Sequence, residues 1–147
     1  MLAELIRVLC SRLSLPLPDS DAGGYTLAFP DGYAVRIQGT RDQLLLSGKV
    51  CSLPEEPGAR DALCRELLAL SLGRAARECK ATLPRLALHG GDVTLQERHP
   101  AGLSPDAFEA AVETFLNLLE KWTTLAAKER QHQAFASGGA AAGIIMP

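Results

Sequence analysis

The stretch "YTLAFPDGYAVRI", Tyr25 to Ile37, constrains this chain more than any other. Apolar and polar side chains alternate on both sides of a Pro-Asp-Gly turn, so Tyr25, Leu27 and Phe29 share a face with Tyr33, Val35 and Ile37. Thr26, Arg36 and Gln38 point the other way. Proline presets one backbone angle and glycine supplies another that other residues avoid, which closes a tight turn between antiparallel strands. After "GTRD", the run "QLLLSGKVCSL" carries the alternation into a third strand, with Leu44, Leu46 and Val50 on one face and Leu45, Ser47, Lys49 and Cys51 on the other.

A sheet with one apolar face needs a covering layer, and helical periodicity on either side supplies it. Upstream, Leu2, Leu5, Ile6, Leu9 and Leu13 recur at steps of three and four, giving a helix that ends near Pro16, followed by the turn-rich linker "LPLPDSDAGG". Downstream of "PEEPG", residues 59–78 are helical in period. Their apolar residues Ala62, Leu63, Leu67, Leu68, Leu70 and Leu72 cover more than the one stripe needed to sit on a sheet. Such a helix needs two partners. The sheet is one, and a second copy of the chain is the favoured other, because isologous pairs are the commonest oligomers.

Two short strands follow, Leu86 and Leu88 alternating with Ala87, then Val93 and Leu95 alternating with Thr94 and Gln96, joined by "HGGD". The last helix is the best specified. Ser104 is placed to cap it, Pro105 takes the first helical position, and Leu103 and Phe108 stand at the positions of a hydrophobic staple. Phe108, Val112, Phe115, Leu119, Trp122 and Leu125 then form a continuous apolar stripe. Periodicity fades after Leu125, so residues 1–131 read as one domain and 132–147 as a disordered tail. The fold class is α+β, an antiparallel sheet with three helices in the order α-βββ-α-ββ-α.

Composition then excludes several functions. Fifteen basic against seventeen acidic residues leave a net charge of -2 with no dense basic block, which argues against nucleic acid. No apolar run reaches the roughly 20 residues of a membrane span, and Glu4, Arg7 and Arg12 interrupt the amino terminus, so a cytosolic protein is expected. Cys10, Cys51, Cys64 and Cys79 lack metal-knuckle spacing and read as small hydrophobes; neither a metal nor a cofactor is expected.

There is no HExxH, GxSxG, GxGxxG or phosphate-binding glycine loop. His89 and Asp92 sit in a turn, His99 and His132 read as solvated, and Asp92 and Glu97 fall on opposite faces of one strand. Glu55 and Glu56 read as a solvated turn, and Arg74, Arg77 and Lys80 as cations at a helix carboxyl end.

With this frame in place, the chain resembles the class I type III secretion chaperones, a Tir-chaperone-like family of small acidic bacterial cytosolic proteins. The resemblance spans roughly Leu2 to Leu125. It is carried by "YTLAFPDGYAVRIQG", "DQLLLSGKVCSLP", "LCRELLALSLG" and "ATLPRLALHGGDVTLQERHPAGLSPDAFEAAVETFLNLLEKW". Two departures are visible: "LSLG", with Ser71 and Gly73, stands where the family often has an asparagine, and the net charge is mild.

The resemblance implies a homodimer paired through the second helix and an adjacent strand, without catalytic activity or cofactor. Its partner would be the amino-terminal segment of a secreted effector, held extended, soluble and export-competent. Surplus apolar surface on the first helix supports this. Partner contacts are expected at Leu5, Leu9, Leu13, Tyr25, Leu27, Leu45 and Cys51, and dimer contacts at Leu63, Leu67, Leu70, Leu86 and Leu88. The competing readings are a small dimeric regulatory or ligand-binding domain and, less favoured, a small enzyme using His89, Asp92 or a cysteine.

Overall fold

The computed structural model of the chain describes the backbone of residues 2–78 and 85–145, and the side chains of residues 2–72 and 86–132. The order is α1 (Leu2–Leu13), β1 (Ser20–Asp21), β2 (Gly24–Ala28), β3 (Ala34–Gly39), β4 (Gln43–Ser52), α2 (Pro57–Glu78), β5 (Arg85–His89), β6 (Asp92–Pro100) and α3 (Pro105–Ile145). All six strands pair antiparallel in one sheet of order β1-β2-β3-β4-β6-β5. The expected α+β order therefore holds, with one addition. The two-residue β1 lies inside the stretch expected to be a linker, too short for any alternation to reveal.

Local chemistry sets the boundaries. At the Pro-Asp-Gly turn the Phe29 amide donates to Tyr33 O at 2.8 Å and the Gly32 amide to Phe29 O at 3.0 Å, with Gly32 at φ +93°. Gly90 and Gly91 form a two-residue turn between paired His89 and Asp92. Helix α1 stops where Ser14 turns left-handed at φ 55° and the Leu15 amide donates back to Cys10 O at 2.9 Å. The Ser104 hydroxyl accepts from the Ala107 amide at 3.2 Å, the expected cap of α3. Helical backbone continues past the expected end of the domain to Ile145. The tail expected to lack structure is alanine-rich, and alanine favours helix without needing an apolar stripe.

Strand pairing sorts side chains into two faces. One cross-strand row runs Tyr25, Ile37, Leu46, Glu97, and the row beside it runs Thr26, Arg36, Ser47, Gln96. The first faces the helices. Leu27, Val35, Ile37, Leu44, Leu46, Val93 and Leu95 are buried there with Ile6 and Leu9 of α1, Leu63 and Leu67 of α2, and Phe108, Val112, Phe115, Leu119 and Trp122 of α3. Each large side chain so buried contributes about 1.5–3 kcal/mol. Helix α3 packs on β4 and β6 and touches both α1 and α2, so all three helices lie on one face of the sheet. Among the described residues nothing covers the other face.

A bulge interrupts the alternation in β4. Lys49 pairs with Thr94 and Cys51 with Val93, so Val50 and Cys51 together oppose one residue of β6. Cys51 therefore does not lie on the outer face with Leu45, as strict alternation implied. It turns toward the core, where it packs half-buried.

Candidate partner-binding surfaces

An open groove of about 640 Å³ lies between α1 and the β1 end of the sheet. Leu2, Leu5 and Val8 of α1, Tyr25 of β2, Leu44 of β4 and Leu103 ahead of α3 give it apolar walls. Its position follows from the helical repeat. Ile6 and Leu9 point into the core, while Leu2, Leu5 and Val8 are only half-buried and flank the groove. The Arg12 guanidinium holds α1 in place by donating to Asp106 at 2.7 Å and Glu109 at 2.9 Å in the first turns of α3. Those two acceptors raise the pKa of Arg12, Glu109 contributing most.

Of the residues expected to contact a partner, the groove brings Leu5 and Tyr25 together. Leu9 and Leu27 are each 1% exposed and belong to the core, because an alternating or helical stripe is first consumed by the protein's own packing. Leu13 is half-buried against the core and does not line the groove. Leu45 lies on the uncovered face, paired with Gln38 and Arg98. Cys51 is turned inward by the bulge. The groove also uses Ser20, Asp21 and Arg41, none of which carries a sequence signal of its own, and Leu103, which the sequence marks only as half of the staple at the start of α3.

A second apolar surface lies at the opposite end of the sheet, where β5 is the edge strand. Leu63 and Leu67 of α2, expected at a dimer contact, are buried in their own core at 0% and 2% exposure. The helical repeat places Cys64, Leu68 and Leu72 on the adjacent stripe, and Leu68 and Leu72 are 60% and 64% exposed. Leu88 of β5 is 64% exposed, Leu86 is half-buried, and Leu70 of α2 is 36% exposed. A small groove lined by Cys64, Leu67, Leu68, Leu86, Ala87, Leu88 and Val93 runs between α2 and β5. The surplus apolar stripe of α2 is thus real, one position round from the leucines first expected to carry it.

The polar candidates form no catalytic constellation. Glu97 is buried on the helix-facing side, with His99 Nε2 3.5 Å from its Oε1, so His99 is not the solvated residue its place before Pro100 implied. Asp92 lies near Lys49 Nζ, at 3.7 Å, on the opposite face. His89 and His132 are exposed. Burial pushes the Cys10 thiol up; it does the same to Cys51, with Arg130 partly opposing, so neither is an activated nucleophile. Among the described residues no group of three or more His, Cys, Asp or Glu side chains could hold a metal, and no helix is long and apolar enough to cross a membrane. The expected Arg74, Arg77 and Lys80 patch and Cys79 have side chains outside the described residues.

One helical layer on an open antiparallel sheet, with an apolar groove at each end, has the form of a binding module. The chain belongs to the Tir chaperone protein (CesT) family, whose model matches residues 4–123, and this is the type III secretion chaperone family. Solved structures share its fold at low identity. A chain of the ExsC-ExsE complex superposes with TM-score 0.65 at 22% identity, over 85% of this chain and 92% of that one. A chain of the HopA1-SchA chaperone-effector complex gives 0.60 at 19%, over 82% and 91%. One from the ExoT-SpcS complex of Pseudomonas aeruginosa gives 0.51 at 15%, over 82% and 95%. No curated protein matches the sequence.

Proposed function

We propose that this protein is a bacterial cytosolic chaperone, without catalytic activity, that holds the amino-terminal segment of a type III secreted effector in extended form until export. The observation that carries this reading is the groove between α1 and the β1–β2 edge. Strand β1 pairs only with Gly24 and Tyr25, so on that side Thr26, Leu27 and Ala28 have no strand neighbour among the described residues. An extended segment can add backbone hydrogen bonds along such an edge, largely indifferent to its sequence, while alternate apolar side chains enter the groove. The fold neighbours include a chaperone-effector complex, which supports the same partner class.

The α2–β5 surface is assigned to a second copy. Leu68, Leu72 and Leu88 are exposed together at a sheet edge, and isologous contact would remove all three from water in both copies. Two copies around one segment would present two grooves, one for each of two apolar stretches.

Co-expression with the first hundred or so residues of a neighbouring secreted protein tests the reading. A complex of two copies with one segment, in which the segment resists protease without becoming globular, is the expected result. A chain that purifies as a monomer and retains no such segment would overturn it.

A further inference from the structure

We infer that Arg41 selects the occupant of the α1–β2 groove, favouring an extended segment with large apolar side chains at alternate positions and a carboxylate beside them. This inference rests on the proposed chaperone reading and adds partner chemistry to the same groove. The walls are apolar, so the charges at the rim distinguish one apolar segment from another. Three charged residues line the groove: Glu4, Asp21 and Arg41. The two acids are committed. Glu4 pairs with Arg7 one helical turn away, and Asp21 Oδ1 accepts from Arg36 Nη1 at 2.7 Å.

Arg41 has no ion pair or side-chain hydrogen bond among the described residues. It is nevertheless held in place through its backbone. The turn containing it is closed by the Thr40 amide donating to Gln43 O at 2.9 Å, and the Gln43 amide donates to Thr40 Oγ1 at 3.3 Å. The Ala101 amide ties the neighbouring Asp42 carbonyl to the loop leading into α3, at 3.0 Å.

The uncommitted rim charge is therefore positive, on a fixed turn beside Leu44 and the groove wall. A guanidinium there attracts a carboxylate and repels an ammonium on the incoming segment. A solvent-exposed pair adds little affinity. Its consequence is discrimination, because like charge at the same place is penalised.

The test uses three labelled peptides, each of about twelve residues with leucine at alternate positions, differing only in one flanking residue: aspartate, asparagine or lysine. Binding to the full-length protein is read by fluorescence anisotropy. The aspartate peptide is expected to bind about tenfold tighter than the lysine peptide, with the gap closing in 1 M salt. Arg41→Glu, on an exposed turn that leaves the core untouched, is expected to invert the order, and Arg41→Gln to abolish it. Leu5→Ser is expected to weaken all three peptides alike.

An order that Arg41→Glu does not change, while Leu5→Ser still weakens binding, overturns the inference and leaves the groove reading standing. Binding unaffected by Leu5→Ser, or no binding by any peptide, removes the groove reading and the inference with it.

Discussion

Leu119 of α3 lies directly over Gly48 of β4, so close that a Cβ placed on Gly48 would stand 2.7 Å from Leu119 Cδ2. Non-bonded carbon atoms do not settle at that distance, so a side chain at position 48 would force Leu119 to shift. The missing side chain at Gly48 lets α3 settle onto the middle of the sheet, and the α1 groove is closed at one end by Leu103 and Pro105 at the start of that helix. Gly48→Ala should destabilise the fold by about 1–3 kcal/mol through overpacking. Leu119→Val in the same chain should recover part of the loss, since the two residues share one space. Urea unfolding of the four chains of that cycle checks this. Strictly additive losses would show that the contact does not govern the packing.

The α2–β5 contact is best tested where the monomer does not need the side chain. Leu67 is buried in its own core, so a charge there would unfold the protein and say nothing about dimerisation. Leu68→Glu and Leu88→Glu alter exposed positions. Each is expected to leave the circular dichroism unchanged while shifting the sedimenting species from dimer to monomer. A folded variant that remains a dimer would place the interface elsewhere.

Removing the α3 cap should have a defined cost. Ser104→Ala deletes the acceptor for the Ala107 amide and is expected to lower stability by about 0.5–2 kcal/mol, whereas Ser104→Asp should retain it. Thermal unfolding of both variants distinguishes this from a simple effect of substitution.

The buried thiols predict a dependence on alkaline pH. Desolvation raises Cys10 and Cys51 above the ordinary value of 9.0, so over that range the folded chain keeps protons that the unfolded chain has released. Stability from this source is fully present below about pH 9 and is lost as pH rises through the folded values. The urea midpoint should therefore fall above about pH 9, and fall less steeply in a Cys10→Ala, Cys51→Ala chain. Parallel profiles for the two chains would assign the alkaline loss to other groups.

Much of this molecule is legible in its sequence. Alternation from Tyr25 to Val50 determined the meander and its buried face, because a strand's side chains can point only two ways. Ser104, Pro105 and the stripe from Phe108 to Trp122 determined the start and inner face of α3, because caps and helical repeats are local. The surplus of leucine on α2 announced a second apolar surface for the same reason. Tertiary structure alone decided which leucines the core would consume. Leu9, Leu27, Leu63 and Leu67 disappeared into it, while Leu68, Leu72 and Leu88 stayed exposed, since burial depends on the position of neighbouring elements and not on residue type. It decided Cys51 as well, because one extra residue in β4 reverses a face that alternation assigns the other way. The groove itself combines α1, a two-residue strand, the turn at Arg41 and Leu103, segments up to a hundred residues apart that no sequence period connects and that only the packed sheet and helices bring together.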